Sequence, residues 1–575
     1  MTHRQILESM SGLLLGMFVA MLSSTIVTNA LPTIIGDLHG TESGYTWVVV
    51  ATLLALTATT PIWGKLSDLF DPKLLVQLSL VIYVAGSVIA GLSQSIAMLI
   101  VARAIQGIGA GGLMALVQVI LARMIPPRER GRYSGYLGAV FAVATVLGPL
   151  VGGLIVDADW LGWRWCFYVG VPFAAAALIV LQRTLKLPSL KREAKIDYLG
   201  ATLIVGGISL LLIWVSLAGT NFAWLSVASA VMVLGGLVLL GLAVVVESRA
   251  AEPIIPLSLF RSRTVTLASI AGIFVGSSLF GVTVFLSQYF QTSRGDSPTV
   301  SGLATIPMVL GMFLSSLITG RIITATGRWK RFLVGGGITL VLGLAVLSTL
   351  RADTAYWVLA VGMALAGAGM GATMQNLVLA VQNSVSMRDM GSASSTVAFL
   401  RSLGGAIGVS ALGAVLGTQV SRHVTGGLAD LGIPAGSGSA DLADIGSLPE
   451  PVAGLVRDGY GIGTAWTFGI AAATALIGAV LMMFIKEVPL RTSNSEPGDP
   501  TTVDQAAATV VLERPATPDV SDGSSDVTDG ATDRNPVGVT VPAQGSRARR
   551  HPARHLAARG ARRASLRKDG VSTRS

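Results

Sequence analysis

The chain has 575 residues, 52% of them hydrophobic and only 13% charged, with a mean hydropathy of +0.68, a balance that excludes a water-soluble globular protein and reads as a polytopic membrane protein. The lone cysteine, Cys166, rules out disulfides, thiolate metal sites and a dithiol redox motif, and the histidines (His3, His39, His423, His551, His555) all fall in termini or loops. A net charge of +10 could suggest nucleic acid, but the positive residues sit in short loops and a C-terminal tail, where membrane topology explains them better.

At the N-terminus, His3 and Arg4 precede the apolar run 13–22, as in a signal peptide. The run continues to Leu31, with Pro32 at its exit, so it reads as a retained first span. Runs of spanning length lie at 10–31, 45–64, 74–92, 96–118, 133–156, 165–185, 198–218, 224–246, 265–289, 301–323, 331–350, 357–380, 394–418 and 464–485, about fourteen spans in an all-α membrane protein. Alternate loops hold most of the basic residues: Lys65 and Lys73; Arg123, Arg128, Arg130 and Arg132; Arg183, Lys186, Lys191, Arg192 and Lys195; Arg249, Arg261 and Arg263; Arg321, Arg328, Lys330 and Arg331. The positive-inside rule makes these loops cytoplasmic and puts both termini inside, in the plasma membrane of a bacterium. The opposite loops are short and carry Asp37, Glu42, Asp157 and Asp159; the exception is 419–463, rich in Gly, Ala and Asp, which reads as a long external loop. Residues 491–575 are expected to form a disordered cytoplasmic tail, with Ser, Thr, Pro, Asp and Gly first and arginines towards the end. That basic end can meet anionic lipid heads; the alternative is a solvated tail without a partner.

The stretch Arg103-Ala-Ile-Gln106-Gly107-Ile-Gly109-Ala-Gly111-Gly112 stands out because it puts an arginine inside an apolar span. A charge there costs about 2.5–3.5 kcal/mol on insertion scales, so it ordinarily faces a bundle interior or a wet cavity and has a task there. The alternative, an arginine near a span end that snorkels to the interface, is opposed by the apolar flanks on both sides. The glycines match the G-x-G-x-x-G spacing of dinucleotide sites, but not after a strand, so that reading fails. Gly107 and Gly111 instead make a small-residue face where another helix can approach closely, and the texture returns in Gly367-Ala-Gly369-Met-Gly371.

An internal repeat is visible between Gly64-Lys-Leu-Ser-Asp68 and Gly320-Arg-Ile-Ile-Thr324, offset by 256 residues, and between the glycine ladders, offset by 260. Two similar offsets imply a duplicated six-span unit, the architecture of transporters that rock two halves about a midplane site. The divisions expected are 1–186 for the N-terminal half, 187–250 for two inserted spans, 251–490 for the C-terminal half and 491–575 for the tail.

Several motifs in this order resemble the major facilitator superfamily, in particular its fourteen-span drug:proton antiporter branch of the EmrB/QacA type: Thr25-Ile-Val-Thr-Asn-Ala-Leu-Pro32, the Gly64–Lys73 loop, the Arg103–Gly112 ladder, Gly148-Pro149-Leu-Val-Gly152-Gly153, and Trp163-Arg164-Trp165. The resemblance covers about residues 10–490. It implies a transporter whose proton-coupling and gating residues are Arg103, Asp68, Gly64, Gln106 and Gly107, and whose antiporter hinge is Gly148, Pro149, Gly152 and Gly153. Physically, Asp68 can cap a helix N-terminus or pair with basic neighbours and so latch the outward-open state, while Pro149 deletes a backbone hydrogen bond and is expected to kink its helix. The chain also departs from the family pattern. The loop ends Asp71-Pro72-Lys73 rather than Gly-Arg-Arg, Thr324 replaces the second aspartate, Met363 lies where a second arginine would be, and Ser23 occupies the usual acidic position of span one.

A substrate cavity can be sketched from Ser23, Ser24, Thr25, Thr28 and Asn29 on span one, the amides of Gln118, Gln288, Gln375 and Asn376, and the methionines Met308, Met312, Met370 and Met374. Packing is the competing explanation for methionines and glutamines at helical spacing. The function expected is export of lipophilic or amphipathic compounds by a monomer, with protons as the coupling ion and no cofactor, metal or nucleic acid. One rival is an uncoupled or differently coupled carrier. The other is a membrane-embedded sensor or enzyme, disfavoured because the sequence has no Walker A motif, no G-x-S-x-G and no metal-spaced His or Cys set.

Overall fold

A computed structural model of the chain describes residues 3–39, 42–158, 160–185, 197–218, 222–430 and 449–491, without a few side chains, those of Asn29 and Pro149 among them. Fourteen of its helices are long and apolar enough to cross a membrane, and all regular elements among the described residues are helical. In chain order they are α1 (His3–Asp37), α2 (Glu42–Leu69), α3 (Pro72–Gly91), α4 (Ile96–Met124), α5 (Pro127–Asp157), α6 (Trp165–Tyr168), α7 (Gly170–Thr184), α8 (Tyr198–Leu217), α9 (Val227–Arg249), α10 (Arg263–Gln288), α11 (Pro298–Ala304), α12 (Ile306–Thr326), α13 (Lys330–Leu347), α14 (Tyr356–Ser384), α15 (Met390–Asp430) and α16 (Glu450–Met483). The short α6 and α7 together form one span, as do α11 and α12.

Local chemistry sets many of the helix ends. Asp71 accepts the Lys73 N–H at 2.9 Å with Pro72 in the first turn, and so starts α3. Ser95 and Asp197 cap α4 and α8 in the same way, and Gly327, at φ 71°, ends α12 in the left-handed region. Two boundaries differ from expectation. Residues 419–430 continue α15 and residues 450–463 belong to α16, so the anticipated loop 419–463 is largely helical where it is described, residues 431–448 lying outside the described residues. After α10 the chain makes a π-helical turn at Tyr289–Ser293, which no apolar pattern announces. The helix α5 is continuous across Pro149.

The glycine ladders decide how each half packs. On α4, a Cβ at Gly107 would lie 2.5 Å from the Thr52 carbonyl oxygen and one at Gly111 would lie 2.7 Å from that of Leu56, so α2 and α4 touch backbone to backbone there. Gly109 and Gly112 face Tyr83, Ser79 and Trp63, which sets α4 between α2 and α3. In the second half Gly367 and Gly371 on α14 meet the carbonyls of Met308 and Met312 on α12, and Gly369 meets Leu340 on α13. Each partner sits 256 to 260 residues from its counterpart, so the repeat seen in sequence is also a repeat of contacts.

The two halves meet along two seams. On one, Gly64 of α2 faces Gly391 and Ser395 of α15; on the other, Gly320 of α12 faces Gly131 of α5. These are the same contact by pseudo-symmetry, Gly64 and Gly320 lying 256 residues apart and Gly131 and Gly391 260 apart, and a side chain at Gly64, Gly131 or Gly391 would push the halves apart. Helix α5 continues away from the second seam to reach α1, where Gly148 abuts Thr25. The inserted hairpin packs α8 against α2 and α15, and Ala58, Phe399 and Ala406 share one cluster with Ile204, Ile208 and Leu212. Its second helix, α9, leaves Val231, Leu234, Leu237, Val238 and Leu242 exposed, a surface suited to lipid.

Candidate functional site

The site has two parts, one inside the first half and one where the halves meet. Arg103 lies on α4 and is 4% exposed. Its Nη1 donates to Gln106 Oε1 at 2.6 Å, one turn along the same helix, and its Nε reaches the Val48 carbonyl of α2 at 3.5 Å. Gln106 passes the network on: its Nε2 donates to Ser87 at 2.8 Å on α3 and to Ser23 at 3.4 Å on α1. The Tyr83 hydroxyl closes the group by donating to the Val19 carbonyl at 3.3 Å. Four helices therefore converge on one buried cation. Ser23, only 2% exposed, points into this group, so an acidic residue at its position would have met the Arg103–Gln106 pair.

Asp68 belongs to the part where the halves meet. Its Oδ1 accepts the Gly391 N–H and its Oδ2 accepts the Ser392 N–H and Oγ–H, each at 2.8 Å, at the first turn of α15. A carboxylate on a helix N-terminus satisfies free backbone donors and meets the positive end of the helix dipole. Arg123 of α4 lies 3.6 Å from Oδ1 and donates to the Ser67 carbonyl at 2.6 Å. At the pseudo-symmetric seam Thr324 bonds its own helix through the Gly320 carbonyl at 2.9 Å. Only one of the two seams therefore carries an ionic clasp among the described residues.

Further polar links between the halves surround Asp68. Arg130 of α5 donates to Gln382 of α14 at 2.8 Å, as well as to the carbonyls of Ile125 and Ala122. Gln382 in turn donates to Ser394 of α15 at 3.0 Å. Gln118 and Gln375, from opposite halves, meet at 3.5 Å, and with Arg130 and Gln382 they line a cavity. Glu252, in the segment after the inserted hairpin, is held by Lys65 of α2 at 2.7 Å and by Arg388 at 3.2 Å, just before α15. Among the described residues, the inter-half ion pairs and side-chain hydrogen bonds lie at this basic end or just inside it.

The remaining cavity candidates are not gathered into one place. Thr25 faces α5, donating to the Leu22 carbonyl at 2.8 Å and to that of Ala144 at 3.3 Å. Ser24 and Thr28 are exposed. Gln288 is at the far end of α10 from Gln118 and Gln375. Met308, Met312 and Met370 are 5%, 6% and 1% exposed within the core of the second half, with Met374 packed on its margin. They fill the approach of α12 to α14 rather than offer open surface. Asn376 is the exception: it bonds the Ala372 carbonyl of its own helix at 2.6 Å and lines the same cavity as Gln118 and Gln375. Gly152 is buried on α5, and the nearest atom to a Cβ at Gly153 is Thr299 Oγ1 at 3.8 Å; the side chains of Asn29 and Pro149 lie outside the described residues. At the opposite end Trp163 and Arg164 hold Asp37, at 2.7 and 3.6 Å, which gives the Trp-Arg-Trp motif a structural task within the first half. Among the described residues no group of His, Cys, Asp or Glu converges as a metal site would require.

The profile of the Major Facilitator Superfamily matches residues 13–409. The chain belongs to that family. Among its relatives, an uncharacterized MFS-type transporter of Mycobacterium tuberculosis is 36% identical over 85% of this chain and 71% of its own length. The multidrug transporter protein MdtP of Bacillus subtilis is 36% identical over 72% of this chain and 76% of its own. A solved proton:xylose symporter, XylE, shares the fold with a TM-score of 0.57 at 15% identity, covering 85% of this chain and 97% of its own. The protein is thus a multispan membrane carrier of a family whose members sit in the plasma membrane.

Motif-based reading misses one residue. Arg401 of α15 is a second arginine within a span, and the signal that finds it is the one that finds Arg103: a charge in an apolar, glycine-rich run, here Leu400-Arg401-Ser-Leu-Gly404-Gly405.

Proposed function

We propose that the chain exports lipophilic or amphipathic compounds across the plasma membrane by proton antiport, with residues 1–186 and 251–490 as the rocking halves and 187–250 inserted between them. The observation that carries this reading is where the two halves are fastened to each other. Asp68 to α15, Arg130 to Gln382, Gln118 to Gln375 and Lys65 to Glu252 all join at the basic end or just inside it, whereas Ser24 and Thr28, towards the other end of α1, are exposed. With the basic loops cytoplasmic, the conformation is fastened shut towards the cytoplasm, the state from which an exporter releases its cargo and takes up protons.

In this reading Asp68 is the latch. It holds α15 while ionised and loses its charge on protonation, so proton entry and opening towards the cytoplasm are one event. Arg103, Gln106 and Ser23 tie α1, α3 and α4 into a unit that moves as one body. Relatives named as a multidrug transporter and a multidrug resistance protein support the substrate class. The test is accumulation of amphipathic dyes by everted vesicles with an acidic interior. Uptake should require the gradient and collapse with a protonophore, and uptake indifferent to the protonophore would refute proton antiport.

A further inference from the structure

Of the arginines Arg103, Arg123, Arg130 and Arg401, the first three are supplied with partners. Arg103 has Gln106 and the Val48 carbonyl, Arg123 has Asp68 and the Ser67 carbonyl, and Arg130 has three acceptors within 2.8 Å. Arg401 has none. Among the described residues its guanidinium makes no hydrogen bond or ion pair, and no carboxylate lies close enough to act on its charge. It is half-buried.

Its position excludes the common ways of tolerating such a charge. Arg401 is eleven residues into α15, about 16 Å along the helix from the basic end, which is roughly half the thickness of a hydrocarbon core. Snorkelling from there would have to cross half the membrane. The direction of the side chain follows from its neighbours. Ser394, two helical turns nearer the basic end and on the same stripe, bonds Gln382, which bonds Arg130 and the Gln118 carbonyl. That stripe therefore faces the seam between the halves, and Arg401 sits above the Gln118–Gln375 contact on the side away from the basic end. Gly276 of α10 makes room for it, since a Cβ there would fall 3.0 Å from Arg401 Cγ and closer still to its backbone.

We propose that Arg401 is the anion-recognition point of the substrate cavity, and that the compounds carried include amphipathic organic anions whose carboxylate pairs with its guanidinium. The inference rests on the export reading above and deepens it. A guanidinium offers five donors in a planar fork that a carboxylate fills two at a time, and in a water-poor site an unmatched cation gains most from such a partner. Nothing acidic competes for it, since among the described residues no carboxylate lies close enough to act on its charge. An apolar body attached to the anion would lie along the half-buried surface of Phe280, where α10 meets Gly405 of α15.

The test is equilibrium binding to the full chain in lipid nanodiscs, without any gradient, of an amphipathic carboxylate dye and of its methyl ester. The wild type should bind the acid about tenfold or more tightly than the ester. Arg401→Gln should erase that preference while changing the affinity for the ester less than about twofold, and Arg401→Lys should keep part of it. Equal binding of acid and ester by the wild type, no binding of the acid, or an equal loss of both ligands in Arg401→Gln would overturn the proposal. The wild-type comparison holds even if a variant fails to fold. The vesicle experiment separates the two ideas, because a protein that prefers the acid in nanodiscs yet moves no dye would refute export and leave the anion site standing.

Discussion

Replacing Asp68 by Asn measures how much of the closed state depends on one carboxylate. In the closed form both oxygens of Asp68 face donors, from Gly391 N and from Ser392 N and Oγ, all at 2.8 Å. Asn keeps one acceptor but turns an amide donor towards at least one of these donors, and it removes the charge from the α15 N-terminus. A hydrogen bond to a charged group contributes about 1.5–3 kcal/mol net, and a carboxylate at a partly buried helix N-terminus up to ~2 kcal/mol; the two overlap, so the loss should be about 2–3 kcal/mol. When the halves separate Asp68 is in water and the substitution costs little, so the ratio of open to closed molecules should rise about 30- to 150-fold. A cysteine in place of Ser395, which is 1% exposed and faces Gly64 across the seam, reports the open fraction through its alkylation rate. The native Cys166 is first replaced by Ala. The rate is proportional to the open population even where that population is small. A change of less than about threefold would mean that the other links at this end hold the halves together and that Asp68 is no latch.

The clasp at Glu252 should act in the same direction: Glu252→Gln weakens its pairs with Lys65 and Arg388 and should speed alkylation of the cysteine introduced at position 395 by a smaller factor, since these groups are partly solvated; an effect larger than that of Asp68→Asn would reverse the ranking. Arg103→Ala should abolish export at equal membrane abundance, and Arg103→Lys should restore little of it because a point charge cannot reproduce the fork held by Gln106 and Val48; near-normal transport by the alanine variant would count against the network. Ser23→Asp puts a carboxylate beside Gln106, 3.4 Å from Ser23 Oγ, and should raise both the export of cationic dyes and its dependence on pH in everted vesicles; an unchanged pH profile would show that this position does not couple protons. Gly107→Ala forces a methyl against the Thr52 carbonyl and should destabilise the protein by about 1–3 kcal/mol in a thermal melt, whereas Gly417→Ala, which meets nothing within 4 Å, should be neutral or stabilise slightly; equal melting temperatures would refute the packing account of the ladder.

The sequence alone determined whatever depends on composition and short spacing. Apolar runs long enough for a bilayer predict the fourteen spans because a chain in lipid must satisfy its backbone within each helix. The duplication is legible because glycine is the residue that permits backbone contact, and it recurs at 256 and 260 residues wherever that contact recurs. Arg103 is legible as a charge without an apolar excuse. The partners of these groups are not legible, because each is decided by which helix faces which. Asp68 meets a helix N-terminus 323 residues away, and Gln118 meets an amide 257 residues away, separations that no local pattern encodes. The methionines of α12 and α14 show the same limit: their spacing fits both a core and a cavity, and only the close approach at Gly367 and Gly371 buries Met308 and Met312. Arg401 shows it from the other side. The charge is plain in the sequence, but a charge becomes a site only when the surrounding helices leave it without a partner, and that is a property of the packing.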